Sequence, residues 1–270
     1  MTATYTDIKN KVIVLTGGAG LLGSTLVSLL LQQQSKVVVV DVNQSALTQL
    51  NDSLPTSSRE SVSIICADIG EVSQSAAVIK TCVEMHGRID VLINNAASKS
   101  DDVANFFISD EEFSARTWRS VMATNLDGAF FMSQAAGREM LRQRDGNIIN
   151  IASIYGIVGP DQRIYEGSEY LGHQISTPAA YSASKAALLG LTRHLATTWG
   201  PRGLRVNAVT PGGIESGQND RFQKNYGARV PLGRMARVSE VADAILFLVS
   251  EQSQYLNGHN LVVDGGLSVW

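Results

Sequence analysis

The chain has 270 residues, of which 44% are hydrophobic and 17% charged. That is enough apolar material for a substantial core, and it excludes an intrinsically disordered protein. Lys and Arg total 22 against 25 Asp and Glu, a net charge of −3, so no basic excess argues for nucleic acid.

Short β-branched runs recur along the chain: VIVL at 12–15, VVVV at 37–40, VSII at 62–65, VLIN at 91–94, NIINI at 147–151, RVNAV at 205–209 and LVV at 261–263. Apolar runs without polar alternation indicate strands buried on both faces, as in a parallel sheet covered by helices. Helical stretches are expected between them, at 21–34, 44–54, 71–86, 110–143, 179–199 and 239–250. This alternation predicts an α/β fold with a Rossmann-type, doubly wound sheet of about seven strands in three α/β/α layers. No linker or internal repeat divides residues 1–270, so one domain is expected.

Two segments break the rhythm. Residues 156–178 are rich in Gly, Pro and polar groups, and they delay the helix that should follow the fifth strand. Residues 212–236 are also polar and glycine-bearing, and read as irregular. Loops of this length in a compact domain are usually functional or disordered.

TGGAGLLG at 16–23 follows the first strand and opens an apolar helix. Glycine allows a tight turn and close backbone approach, and the free N–H groups of a helix start attract a pyrophosphate. Gly17, Gly20, Leu21, Leu22 and Gly23 are therefore candidate cofactor contacts. Asp41 ends the second strand, where an acid accepts hydrogen bonds from ribose hydroxyls and repels a 2′-phosphate. No Lys or Arg lies in the turn or directly after Asp41, which favours NAD over NADP.

Cys66 and Cys82 form neither a disulfide framework nor a zinc set, and read as two reduced thiols in packed elements. His86, His173, His194 and His259 show no paired metal-ligand spacing, so no metal is expected. The N-terminus has no signal-peptide pattern and no apolar run would span a bilayer, so a cytoplasmic protein without membrane contact is expected. Tyr5 and Lys9 share the spacing of Tyr181 and Lys185, but they precede the first strand and have no site to serve.

Further motifs follow in order: NNAA at 94–97, TNLDG around Asn125, Ser153 in NIINIASIYG, YSASK at 181–185, PGGIES at 211–216 and NLVVDGG at 260–266. Together with the glycine turn they resemble the short-chain dehydrogenase/reductase superfamily, from Lys11 to Gly266. The length, NNA and VDGG resemble its compact, single-domain branch. The spacing TGxxGxxG, with glycine at 20 and leucine at 21, is more typical of the extended, epimerase-like branch.

The resemblance implies that Tyr181 is the general acid/base, Lys185 its activator, Ser153 a substrate-orienting hydroxyl and Asn125 a proton-relay residue. It also places Asp68 with Ile69, Asn95, Ala96, Pro211, Gly212, Ile214 and Ser216 along the dinucleotide. The implied activity interconverts a secondary alcohol and a ketone with NAD(H). The alternatives are an epimerase or dehydratase that recycles its cofactor internally, and a non-catalytic dinucleotide-binding regulator. The family's usual dimers or tetramers would use the helices near 110–143 and 179–199.

A free tyrosine titrates near 10, too high for an efficient base at neutrality. A lysine ammonium roughly 4–5 Å away, at an effective dielectric of about 20, favours the phenolate by roughly 3–4 kcal/mol. Enhanced acidity of Tyr181 is thus expected.

Ser153 and Tyr181 lie 28 residues apart, a longer gap than the compact branch usually has. The extra residues include Asp161, Arg163, Tyr165, Glu166, Tyr170 and His173. They suit a polar substrate, with Arg163 as a candidate phosphate or carboxylate anchor beside Tyr165. The stretch SIYG to PDQRIYEG resembles short-chain enzymes of surface-glycan sugar biosynthesis, which implies a sugar, sugar phosphate or nucleotide sugar.

Overall fold

The computed structural model describes residues 5–98, 103–170 and 172–270. The elements in chain order are β1 (Val12–Thr16), α1 (Leu21–Gln32), β2 (Lys36–Asp41), α2 (Gln44–Ser53), β3 (Val62–Cys66), α3 (Val72–His86), β4 (Val91–Asn94), α4 (Val103–Phe106), α5 (Ala115–Met122), α6 (Ala129–Gln143) and β5 (Gly146–Ile151). There follow β6 (Glu169–Tyr170), β7 (His173–Gln174), α7 (Ala179–Trp199), β8 (Leu204–Pro211), α8 (Asp220–Gly227), α9 (Val238–Val249) and β9 (Asn260–Val263).

Seven strands form one sheet in the order β3-β2-β1-β4-β5-β8-β9, and every pairing in it is parallel. The apolar runs are continuous because each face meets its own helix layer. Ile13, Leu15, Val37 and Val39 pack with Leu26 and Leu30 of α1 and Ile245 of α9. Val12, Val14, Val38 and Val40 pack with Ile79 of α3, Met132 and Met140 of α6, and Leu195 of α7. The strand order reverses between β1 and β4, which opens a crevice at their carboxyl ends.

Polar residues tie the layers together behind that crevice. Asn94 Nδ2 donates to Asn150 Oδ1 and to Ser133 Oγ, both at 2.9 Å. Asn150 Nδ2 in turn donates to Thr192 Oγ1 on α7 at 2.9 Å. These asparagines are fully or almost fully buried, so their bonds specify how α6 and α7 seat on the sheet.

Four expectations are corrected. The stretch 110–143 is not one helix: α5 begins at Ala115, capped by Ser114, whose Oγ accepts from Thr117 N at 3.0 Å. A π-helical turn, Ala123–Gly128, then joins α5 to α6. Residues 212–236 are not wholly irregular, because α8 forms there, capped by Asn219, whose Oδ1 accepts from Phe222 N at 2.8 Å. Its buried Phe222 and Tyr226, four apart, anchor it against the 156–178 segment. That segment holds a short 3-10 turn, Gln162–Tyr165, and the antiparallel pair β6 and β7. Finally, Cys82 is packed and burial pushes its thiol up to about 12, but Cys66 is exposed where edge strand β3 ends. Among the described residues no helix is long and apolar enough to cross a membrane, and no group of three His, Cys, Asp or Glu is placed to hold a metal.

Candidate active site

Two cavities open at the carboxyl ends of the strands. The first, of about 730 Å³, is lined by Gly17, Gly20, Leu21, Leu22, Gly23, Asp41, Asp68, Ile69, Asn95 and Ala96. Ten of the sequence-derived nucleotide residues thus converge on one cleft, whereas Gly212, Ile214 and Ser216 line the second cavity. Pro211 ends β8, buried and paired with Val263, and lines neither cavity.

The glycine turn is built for an anion. Gly17 has φ +63°, a left-handed conformation that glycine adopts without cost. Gly20 is the N-cap of α1, and no side chain caps that end. The first N–H groups of the helix are therefore left for a ligand in the cleft. A Cβ at Gly23 would collide with the Gly17 carbonyl oxygen and lie 2.7 Å from Gly18 Cα, so only glycine lets α1 start this close to the turn.

Two side chains clamp the turn from outside. Asn95 Nδ2 donates to the Gly17 carbonyl at 2.9 Å and the Thr16 carbonyl at 3.1 Å. Asp41 Oδ2 accepts from Ala19 N at 3.1 Å and Oδ1 from Asn43 N at 3.0 Å. Asp41 so holds the loop while keeping acceptor lone pairs at the cleft. Asp68 Oδ1 accepts from Gly70 N at 2.8 Å on the far wall. This donor and acceptor set fits a dinucleotide: N–H groups for the phosphates, and a carboxylate for ribose hydroxyls.

The second cavity, of about 510 Å³, lies past β5 and β8. Ser153, Tyr165, Tyr181, Gly212, Ile214 and Ser216 line it. Ser153 follows β5 and is buried, its Oγ accepting from Tyr155 N at 3.3 Å and hydrogen-bonding Tyr181. Tyr181 lies in the first turn of α7, half-buried, with Phe106 edge-on at 6.4 Å between ring centroids. Ser216 is exposed, and its N–H and Oγ both engage Gln218.

Lys185 lies one turn along α7, 3% exposed, with Nζ 5.8 Å from the centroid of the Tyr181 ring. Its Nζ donates to the Ile151 carbonyl at 2.7 Å. Burial lowers the Lys185 ammonium to about 8. Tyr181 departs from the expectation of enhanced acidity. Burial raises its phenol, and the hydrogen bond with Ser153 only partly offsets this. Within the chain itself, desolvation sets the direction for both groups.

Asn125 is buried in the π-helical turn, a feature often found at functional sites. Its Oδ1 accepts from Ser98 N at 2.8 Å, and its Nδ2 donates to Ser184 Oγ at 3.2 Å. Ser184 Oγ donates to the Tyr181 carbonyl at 2.8 Å. Asn125 is therefore linked through Ser184 to the turn that carries Tyr181.

Arg163 is not brought to the site. Its side chain is 72% exposed, lines neither cavity, and makes a two-point bridge to Asp161 at 2.8 and 2.9 Å. Asp161 also pairs with Arg229 at 3.0 Å, and the hydrogen bond from Arg163 holds its carboxyl down at about 2. Within the same segment, the side chain of Tyr170 lies outside the described residues. Sequence reasoning missed Tyr155, Thr177, Phe222 and Tyr226, which complete the wall. For Tyr155, the position two residues after Ser153 was the available signal.

A parallel sheet of this order, a glycine turn at its crevice and a Ser, Tyr and Lys group beside it define a short-chain dehydrogenase/reductase, an oxidoreductase. A family model described as enoyl-(acyl carrier protein) reductase matches residues 19–268, and the chain belongs to that family. It is 32% identical to 2-(S)-hydroxypropyl-CoM dehydrogenase 3 of Xanthobacter autotrophicus, over 97% of this chain and 98% of the relative. It is also 32% identical to a 3-oxoacyl-(acyl-carrier-protein) reductase of Thermotoga maritima, over 97% and 99%. A short-chain dehydrogenase of Leptospira borgpetersenii, solved with bound NAD+, superposes with a TM-score of 0.84 at 30% identity, covering 97% of this chain and 94% of that one.

Proposed function

We propose that the chain is an NAD(H)-dependent oxidoreductase that interconverts a secondary alcohol and a ketone on a small, neutral, polar substrate. The observation that carries this is the convergence of Ser153, Tyr181 and Lys185 beside a cleft suited to a dinucleotide. The bound nicotinamide would supply the hydride acceptor or donor.

The chain's own residues account for the rest. Tyr181 takes the hydroxyl proton during oxidation and returns it during reduction. Ser153 accepts from an alcohol or donates to a carbonyl, so it orients the reacting oxygen in both directions. Lys185 sets positive charge behind the Tyr181 ring, and its remaining N–H groups suit a ribose hydroxyl. Asn125 keeps the first turn of α7 in register with the loop after β4. Asp41 supports the preference for NAD, because a 2′-phosphate would meet its carboxylate.

Substrate charge is argued from the walls. Arg163 is spent on Asp161, whereas Glu169 lines the cavity with Tyr155, Tyr165, Phe222 and Tyr226. Among the described residues that line it there is no cation to meet a phosphate, so a sugar-like or polyol molecule fits better than a sugar phosphate. Exposed Trp118 on α5 and Phe130 on α6 support association into a homodimer or homotetramer.

The test is Tyr181→Phe, with NADH binding and turnover both measured. Binding should persist while turnover of every accepted alcohol or ketone is lost; retained turnover removes Tyr181 from its role. Net NADH formation during alcohol oxidation separates this activity from internally recycled chemistry.

A further inference from the structure

The substrate cavity contains a second group of oxygens besides Ser153 and Tyr181. Tyr165 Oη donates to Tyr155 Oη at 3.0 Å and shares a 2.6 Å hydrogen bond with Thr177 Oγ1. Tyr165 has one proton, and it is used on Tyr155. Thr177 must therefore donate to Tyr165. The proton left over at the end of this chain is that of Tyr155, which has no further hydrogen-bond partner recorded among the described residues.

The chain is held firmly. Tyr165 is 7% exposed and Thr177 8%. Gln162 fixes Thr177 from both sides, its Oε1 accepting from Thr177 N at 3.2 Å and its Nε2 donating to the Thr177 carbonyl at 2.9 Å. The Tyr165 ring packs 5.5 Å from that of Phe222 on α8. The 156–178 segment and α8 thus orient Tyr155 together, two residues beyond Ser153.

We propose that Tyr155 determines specificity by donating this spare proton to a second oxygen of the substrate, next to the carbon that reacts, and that Tyr165 and Thr177 are its positioning residues. The substrate class is a neutral vicinal diol or its hydroxyketone. This deepens, and rests on, the alcohol–ketone activity proposed above. Burial pushes the Tyr155 phenol well above its usual value, so it remains a donor, and Tyr181 is near enough for its charge to act on Tyr155.

The probes are trans-cyclohexane-1,2-diol and cyclohexanol, which share a ring and differ in one hydroxyl. The parent should favour the diol in kcat/KM by about tenfold, the worth of one well-placed hydrogen bond. Tyr155→Phe keeps the ring and should bring the ratio of the two kcat/KM values close to one. Thr177→Val should lower the ratio in the same direction, mainly through KM for the diol, and Thr177→Ser should restore it. A parent that does not favour the diol overturns the proposal while leaving the alcohol–ketone activity in place. So does a Tyr155→Phe variant that slows both probes equally. If neither ring is oxidised while another alcohol is, the vicinal-diol class is wrong. If no alcohol or ketone is turned over at all, the underlying activity fails first.

Discussion

Lys185 and Tyr181 sit one turn apart on α7, with Nζ 5.8 Å from the ring centroid, and burial drives their proton affinities in opposite directions. The phenol holds its proton more tightly than a free tyrosine, and the ammonium gives its proton up more readily. Each effect disfavours the charged form of the group, as desolvation must.

The phenol is therefore expected to stay protonated in the free chain beyond the ordinary value of about 10. A difference ultraviolet titration of the parent against Tyr181→Phe reads this directly. Adding NAD+ should bring the phenolate step to lower pH, because a positive nicotinamide ring would favour the anion. A phenolate step below about pH 9 in the free chain would contradict the dominance of burial described here.

Lys185 gives a stability prediction with a definite sign. Its folded value of about 8 lies below the ordinary lysine value of 10.5, so between these the unfolded chain binds more protons. Stability attributable to this residue must rise with pH across that window. Below it, the folded chain bears the full cost of a buried ammonium. Lys185→Met should be relatively more stable near neutrality, less the lost bond to Ile151. The parent should gain on the variant by about 3 kcal/mol between roughly pH 7 and pH 10.5. Paired urea titrations at both pH values measure it, and a constant difference would mean that Lys185 does not titrate there.

Much of this was visible in the linear chain for one reason: local chemistry repeats there. Strands buried on both faces need continuous β-branched runs, so all seven were legible. The glycine turn, Ser153 and the YSASK pair carry their geometry in short spacing. What was not legible depends on convergence or burial. Tyr155, Tyr165 and Thr177 meet only because the 156–178 segment folds back under α8. Nothing local marks Tyr155 as the end of a donor chain. Arg163 reads as a free cation, yet Asp161 two residues earlier accepts from its Nε and one Nη in a two-point bridge. Spacing placed Lys185 near Tyr181, but could not show how far desolvation would oppose the lysine's help.

Gly20 and Gly23 of the turn should behave differently. A Cβ at Gly20 meets only the Gly17 carbonyl oxygen, at 3.5 Å, an ordinary contact. Gly20→Ala should fold with nearly unchanged stability, and its cost should appear in NADH affinity. Gly23→Ala must push α1 away from Gly17 and Gly18, and overpacking of this kind costs about 1–3 kcal/mol. Thermal melts with and without NADH separate the cases. Equal destabilisation by both substitutions would show that the turn is not packed as described.

Asp41 both anchors the turn and faces the nucleotide cleft. Asp41→Ala removes the acceptor of Ala19 N and the charge that opposes a 2′-phosphate. NADH binding should weaken at least about tenfold, in line with the loss of charge-assisted hydrogen bonds. The preference for NADH over NADPH should shrink with it. Fluorescence titration of both cofactors gives the ratio, and a parent that already prefers NADPH would exclude this role for Asp41.

Arg163 tests the neutrality of the substrate. If the cavity takes an uncharged molecule, Arg163→Ala should leave KM unchanged for every accepted substrate. The guanidinium is exposed and spent on Asp161, and exposed pairs contribute little to stability. Loss of its hydrogen bond should nevertheless release the Asp161 carboxyl upward from about 2 towards the ordinary carboxylate range, with Arg229 still holding it in part. Carboxyl titration by NMR follows that change. A rise in KM confined to phosphorylated substrates would instead mean that Arg163 leaves Asp161 on binding and reaches the cavity, and the neutral-substrate reading would then fall.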